Sequence, residues 1–136
     1  FYIDGEDFDY GNPNKAKYGP ELLLDKDVVL VTVGYRLGAL GFFLTEDGTI
    51  SGNLGLKDQA FALKWVNQNI MHFGGNPEKI TVFGNGAGAA CAHYHMLSPL
   101  SRDLISGVIA QSGTAFNSWA LAPIQVVGIR CKVMAG

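Results

Sequence analysis

Short apolar runs alternate with polar and glycine-rich stretches along the 136-residue chain. The first run, VVLVTV at 28–33, is almost continuously apolar and β-branched, which is typical of a strand buried on both faces of a sheet. Shorter runs at 79–83 (KITVF) and 104–110 (LISGVIA) predict two further strands. Residues 1–26, by contrast, are polar and rich in turn residues, and 37–53 have the glycine spacing of a loop.

Two segments between the predicted strands have helical patterns. In the first, the apolar residues recur with a period of 3.6 at Leu63, Val66, Ile70 and Phe73. This predicts a helix over about 55–73 that ends at Gly74-Gly75. Residues 87–97 predict a second helix, whose small side chains favour close packing on a sheet. The order strand, helix, strand, helix, strand predicts an α/β fold with a parallel sheet covered by helices.

Composition and charge narrow the classes of function. The chain is 48% hydrophobic and 16% charged, and its formal net charge is -2 without runs of like charge. These values favour one globular domain, 1–136, with no internal boundary, and they argue against nucleic-acid or membrane-surface partners. No apolar stretch approaches ~18 residues, so we expect no transmembrane segment in this chain. Cys91 and Cys131 do not make a disulfide framework, and Cys91 is interpreted as a small buried side chain.

The sequence ITVFGNGAGAA at 80–90 joins a predicted strand to a predicted helix through a glycine-rich turn. One interpretation is a dinucleotide site, because Gly84-x-Gly86-x-x-Ala89 fits the pattern G-x-G-x-x-G/A. That site also needs an acidic residue near the end of the next strand. The next strand ends in Ala110-Gln111-Ser112, and Asp103 precedes it, which disfavours a nucleotide.

A second interpretation is a nucleophile elbow, in which G-x-S-x-G lifts a serine hydroxyl above the sheet. Gly84, Ala87 and Gly88 keep that frame, but Gly86 stands where the serine should be. A third interpretation is that the glycines only permit close packing of helix on strand. The turn alone does not decide between these interpretations.

Other blocks of sequence lie at characteristic places around this turn: YRLG (35–38), GNLGLKDQ (52–59), ALKWVNQNI (62–70), FGG (73–75), HYHMLSPLS (93–101), QSG (111–113) and WA (119–120). Together with the turn, they resemble the type-B carboxylesterase/cholinesterase family, and the 93–101 block is especially similar to insect members. The resemblance covers nearly all of residues 1–122.

The resemblance implies the α/β-hydrolase fold, a mostly parallel sheet with helices on both faces. This chain would be an incomplete, N-terminal part of that domain. It also implies that the catalytic acid and histidine lie beyond the C-terminal end of the chain. No cofactor is implied. A metal site at His93 and His95 is disfavoured, because residues two apart on a helix do not face each other. By resemblance, we expect an extracellular or membrane-anchored protein.

Five positions take their roles from the resemblance. Gly86 occupies the nucleophile position, and Asn85 replaces a glutamate that usually precedes the nucleophile. The backbone N–H of Ala87 would be an oxyanion donor. Ser112 would support the catalytic histidine, and Trp119 would line the acyl pocket, although a plain core tryptophan is an equal interpretation.

Two functional hypotheses follow. In the first, the protein is catalytically silent and binds a partner protein, as the neuroligins of this family do, or a hydrophobic, ester-like ligand. In the second, it is an active carboxylic-ester hydrolase, and Gly86 is a sequence error or a variant. Ser112 and Ser118 are the nearby hydroxyls that would have to substitute as nucleophiles, and neither is predicted to follow a strand into a helix.

Overall fold

Three parallel strands form the sheet of the protein. The structure, a computed structural model, describes residues 1–5, 7–11, 19–45 and 47–121. The strands are β1 (Tyr2–Ile3), β2 (Thr81–Asn85) and β3 (Gly107–Gln111), in the order β1-β2-β3. In register, Gly84 of β2 lies between Ile3 and Ala110. Because all three strands run in one direction, their carboxyl ends meet at one edge of the sheet.

Four α-helices accompany the sheet in the described residues: α1 (Glu21–Leu24), α2 (Gly38–Phe42), α3 (Leu54–Asn69) and α4 (Ala87–Leu97). A 3₁₀ turn, Ile70–Phe73, extends α3, and another covers Arg102–Leu104. The helix predicted over 55–73 is therefore confirmed as α3 and its 3₁₀ extension. It ends at Gly74, whose φ of 80° is the left-handed conformation typical of a helix C-terminus.

The predicted helix 87–97 is confirmed as α4, which packs against all three strands. Its small residues allow this close approach: Ala89, Ala90, Cys91 and Ala92 are fully buried. They join a core with Ile3 and Val82 from the sheet and Leu63 from α3. Phe73 was predicted on the buried face of its helix, but its side chain is 62% exposed, because the 3₁₀ turn breaks the α-helical period there.

The prediction of a buried strand at 28–33 is wrong for the described structure. Val28 and Val29 are 51% and 41% exposed, and the segment makes only one isolated bridge, between Thr32 and Tyr2. The Tyr2 N–H donates to the Val31 carbonyl at 2.8 Å. The physical reason is the partner: β1 contains two residues and offers few backbone groups for pairing.

The first strand instead lies in a stretch that was expected to be only polar and turn-rich, so that expectation is wrong for Tyr2–Ile3. The other two strands exist but lie a few residues later than predicted, at Thr81–Asn85 and Gly107–Gln111. Pairing continues through Gly84 and Asn85, opposite Ala110 and Gln111, because the parallel neighbour supplies partners up to the turn. Segment 37–53 is mostly loop, apart from α2 and a bridge between Leu44 and Ser51.

Candidate functional site

The glycine turn is a sharp change from strand to helix at the carboxyl edge of the sheet. Gly86 directly follows β2 and is the N-cap of α4, with φ 56° and ψ −119°. Its N–H donates to the Gln111 carbonyl at 2.9 Å, and its carbonyl accepts from the N–H groups of Ala89 and Ala90. L side chains rarely adopt this positive φ, so glycine takes the conformation without strain, whereas a serine in a nucleophile elbow would be strained there.

Two glycines at the base of the turn are required for packing. A Cβ at Gly88 would lie 2.1 Å from the Ile3 carbonyl oxygen. A Cβ at Gly84 would lie 2.5 Å from the Gly88 carbonyl carbon and 2.7 Å from the same Ile3 oxygen. These contacts are with backbone atoms, which cannot move aside as a flexible side chain can. The prediction of close packing is therefore confirmed for these two positions.

Gly86, at the tip of the turn, is different from the glycines at its base. In the part of the chain that the structure describes, a Cβ at this position would meet no heavy atom within 4 Å. The site therefore has room for a side chain, although the positive φ would strain it. Glycine offers no oxygen, sulfur or nitrogen there, so residue 86 itself cannot attack a carbonyl carbon.

The backbone beside the tip has hydrogen-bonding capacity. Ala87 is the first residue of α4, and among the described residues its N–H has no hydrogen-bond partner, as is usual in the first turn of a helix. The helix dipole adds partial positive charge at this end. The N–H can therefore donate to a carbonyl oxygen or an oxyanion placed over Gly86.

Asn85 is the last residue of β2, and it is exposed. It pairs in register with Gln111 of β3, so the side chains next to the tip on both strands are neutral amides. A carboxylate at position 85 would place a negative charge beside the nucleophile. The present residues place none there.

Ser112 follows β3 at the same edge of the sheet, with an exposed side chain and a φ of 57°. The next residue, Gly113, packs against the elbow, because a Cβ there would lie 2.4 Å from the Gly86 carbonyl oxygen. Ser112 and Ser118 lead into a loop rather than a helix, so neither has the strand-to-helix geometry that presents a nucleophile.

Trp119 lies beside the elbow. Its Cη2 atom is 3.0 Å from the Cβ position of Gly113, and its side chain is 46% exposed in the described structure. Its ring centroid is 6.3 Å from that of Phe8, which in turn is 5.2 Å from that of Phe42. These three aromatic side chains form one connected apolar cluster, whose member Trp119 contacts Gly113.

Phe8 was missed by sequence reasoning. It lies in the stretch expected to be polar turns, and its φ of 62° is uncommon for a phenylalanine. A single aromatic residue among Asp and Gly is a weak signal, and only the folding of this segment over the sheet edge brings it to Trp119.

The two histidines of α4 point to different partners. His93 accepts a hydrogen bond at Nδ1 from the Ala115 N–H at 3.2 Å, and its ring contacts Phe116 edge-on. His95 is buried, and its ring nitrogens contact Ser101 Oγ and Gln59 Oε1, each at 2.9 Å.

The described ranges contain no cluster of three or more metal-ligating side chains. No helix within these ranges is long and apolar enough to cross a bilayer.

The contacts of His95 belong to a buried polar cluster between α4, α3 and the segment after α4, which sequence reasoning also missed. Gln59 Nε2 donates to Cys91 Sγ at 3.5 Å, so the Gln59 oxygen accepts from His95 Nε2. The Ser101 hydroxyl donates to the His95 carbonyl at 3.1 Å, and its oxygen also lies 2.9 Å from His95 Nδ1. Burial lowers the pKa of His95 to about 4 and therefore keeps it neutral. Cys91 is fully buried, which confirms its interpretation as a small buried side chain, and this burial raises the pKa of its thiol to about 11. Cys131 lies outside the described residues.

The family model and the similar proteins all indicate the carboxylesterase family. The model of the Carboxylesterase family matches residues 1–133. The chain is 49% identical over 120 residues to Venom carboxylesterase-6 of Apis mellifera, which is 88% of this chain and 21% of that protein. It is 53% identical over 106 residues to Esterase E4 of Myzus persicae, covering 77% of this chain and 19% of the relative.

A further relative is Neuroligin-2 of Mus musculus, which is 47% identical over 120 residues, or 88% of this chain and 14% of the relative. Proteins with an esterase name and a neuroligin are thus similar to this chain to nearly the same degree. The chain spans about a fifth of the length of the first relatives it matches.

Proposed function

This chain belongs to the carboxylesterase family, and we propose that it is part of a family member that does not hydrolyse esters. The observation that carries the proposal is the tip of the elbow, where Gly86 provides no side-chain atom. Such a protein acts by binding, either to a partner protein or to a hydrophobic, ester-like ligand.

The chemistry of ester hydrolysis by this route explains why one residue decides the outcome. A side-chain oxygen must attack the carbonyl carbon and carry the acyl group until water releases it. The Ala87 N–H and an apolar pocket can polarise and orient the carbonyl, but they cannot form that covalent intermediate. Binding and oxyanion contacts alone typically leave ~10³–10⁴-fold catalysis over water.

The surroundings of the tip support binding. Gly84 and Gly88 keep the close crossing that a nucleophile elbow needs, and the Ala87 N–H is available as a donor. Trp119 and Phe8 present apolar surface beside it. The close packing at the base of the turn supports a binding site without a nucleophile, and the similarity to Neuroligin-2 also supports a role without catalysis.

An active carboxylic-ester hydrolase is the second candidate. The specific observations in its favour are the open space for a side chain at position 86 and the esterase names of several relatives. In that case the natural codon at position 86 encodes serine, and sequencing of the gene at codons 85 and 86 distinguishes the two candidates directly.

The proposal is tested on the complete protein that contains this chain, after codons 85 and 86 have been verified. The protein is incubated with a fluorophosphonate, which reacts with activated serines, and then weighed by intact mass spectrometry. A Gly86→Ser, Asn85→Glu double variant is treated in parallel. Gly86→Ala is the matched control, because it introduces the same backbone strain without a hydroxyl.

We expect one adduct on the double variant and none on the unaltered protein or on Gly86→Ala. That result would mean that the elbow, the oxyanion donors and the rest of the catalytic machinery remain around a missing nucleophile. An adduct on the unaltered protein would show that another residue attacks, and the proposal would be wrong.

A further inference from the structure

The loop that follows β3 carries Trp119, and two neighbouring residues of α4 hold this loop in place. The loop comprises residues 112–121. Its middle is bound where the Ala115 N–H donates to His93 Nδ1 at 3.2 Å. Its far end is bound where the Tyr94 hydroxyl donates to the Ala120 carbonyl. Trp119 thus lies between two attachments that both come from the helix that begins at the elbow.

The loop is also braced internally, so that these attachments act on it as a unit. The Asn117 side-chain oxygen accepts from the Thr114 N–H at 2.7 Å, and the Ala120 N–H donates to the Asn117 carbonyl at 2.9 Å. At its start, Gly113 packs on the Gly86 carbonyl. A segment built in this way moves as one piece when its attachments are lost.

From these contacts we infer that His93 and Tyr94 are positioning residues that hold Trp119 against the elbow and thereby set the size of the apolar group admitted beside Gly86. The last part rests on the proposed function, because it takes the space beside the elbow to be a ligand pocket. The attachment itself does not depend on that function. Neither residue is within the elbow, so each acts through the loop.

The chemistry of both groups suits this role. Nδ1 of His93 accepts a backbone proton, so that nitrogen is unprotonated in this arrangement, and the edge-on contact of Phe116 fixes the plane of the ring. Burial raises the pKa of Tyr94, so its hydroxyl remains a donor at neutral pH. The Trp119 ring also contacts the Phe8 ring, with the two centroids 6.3 Å apart, so displacement of the loop changes this contact as well.

The attachment is tested by amide hydrogen exchange of residues 113–121 in the complete protein. We expect Tyr94→Phe and His93→Leu to exchange about two- to tenfold faster than the unaltered protein, as for the loss of one hydrogen bond. His93→Asn keeps an acceptor close to the Nδ1 position and should restore most of the protection. His72→Leu, at an exposed histidine of the 3₁₀ turn after α3, is the matched control and should change nothing.

The position of Trp119 is read separately, by ¹⁹F NMR of protein that contains 5-fluorotryptophan, with the resonance assigned through its loss in Trp119→Phe. Tyr94→Phe and His93→Leu should shift this resonance, while His93→Asn and His72→Leu should not. Unchanged exchange, or an unchanged Trp119 resonance in both variants, would overturn the inference.

The effect on the pocket is read in the Gly86→Ser, Asn85→Glu background. In this background, Tyr94→Phe or His93→Leu should label faster with a dodecyl fluorophosphonate, relative to a methyl fluorophosphonate, because the loop can then move away from the longer chain. We expect the ratio of the two labelling rates to rise about threefold or more, which corresponds to the loss of one hydrogen bond. An unchanged ratio would refute the role in ligand size. If the double variant is never labelled, the role in ligand size fails, whereas an adduct on the unaltered protein is the result that refutes the proposed function. Hydrogen exchange and the Trp119 resonance test the attachment in either case.

Discussion

The base and the tip of the glycine turn contain the same residue type for opposite reasons. At the base, Gly84 and Gly88 lie against backbone atoms of β1 and α4, and an added Cβ would come within 2.1–2.7 Å of them. At the tip, a Cβ at Gly86 would have no heavy atom of the described residues within 4 Å. The base is an internal contact of the fold, whereas the tip projects from it.

Within these five residues, the base determines the stability of the fold, and the tip determines which chemical group is presented above the sheet. A change at the base alters how α4 lies on the sheet and affects everything that the helix positions. A change at the tip alters only what is presented above the sheet. The fold can therefore persist with or without a nucleophile, and the following experiments test that separation.

The largest expected effect is at the base. Gly88→Ala forces a Cβ against the Ile3 carbonyl, and because backbone cannot rotate away, we expect a loss of about 3 kcal/mol or more in the free energy of unfolding. Gly107→Ala is the control, since its Cβ would meet only Thr81 Oγ1, at 3.9 Å. Urea unfolding of the complete protein measures both. Equal midpoints for the two variants would contradict the steric argument.

An effect of similar size is expected from pH on the buried polar cluster around His95. The folded-state pKa of His95, about 4, lies below its ordinary value of 6.5, so the folded state favours the neutral ring. This contribution is complete above pH 6.5 and is lost as the pH falls towards 4, to a total of about 3 kcal/mol.

The pH effect of His95 is separated from that of the carboxylates by comparing slopes. His95→Gln cannot titrate, so its free energy of unfolding should fall less steeply between pH 6.5 and 4 than that of the unaltered protein. His72→Gln, at an exposed position, should keep the original slope. Identical slopes for all three proteins would show that His95 does not titrate as its burial predicts.

The smallest effect is expected at the tip. Among the described residues the Cβ of Gly86→Ala would meet no atom within 4 Å, so its cost is that of a positive φ outside the left-handed helical region, about 2 kcal/mol. Gly74→Ala lies in the left-handed helical region, with φ 80° and ψ 6° and equally open surroundings, and should cost less, about 1 kcal/mol. A loss at Gly86 as large as that at Gly88 would remove the distinction between tip and base.

Much of this fold could be predicted from patterns among residues that are close together in the sequence. The helical period through Leu63 and Val66, the glycine stop after it and the small residues of α4 are features of neighbouring residues, and they were predicted at nearly the correct bounds. The strand before the turn was also found, because it is a short apolar run that leads directly into the glycines.

What the sequence did not reveal depends on distant partners. Whether 28–33 becomes a strand depends on the length of β1, and Tyr2 and Ile3 pair only because Phe83 and Gly84 are brought beside them. The same holds for the site. The glycine turn could be recognised from its sequence. The contact of Phe8 with Trp119 and the hydrogen bond of His95 with Gln59 could not, because these pairs are far apart in the chain.

The open space above Gly86 also bears on how such a protein evolves. A serine at this position carries the strain of a positive φ, and glycine does not, so exchange of serine for glycine releases strain without disturbing any neighbour. Once selection for hydrolysis is relaxed, drift towards glycine is favoured by stability, and no unstable intermediate separates the two states. Exchange of serine for glycine at this one position would thus remove the attacking oxygen, and the reverse exchange at position 86 costs about 2 kcal/mol of stability.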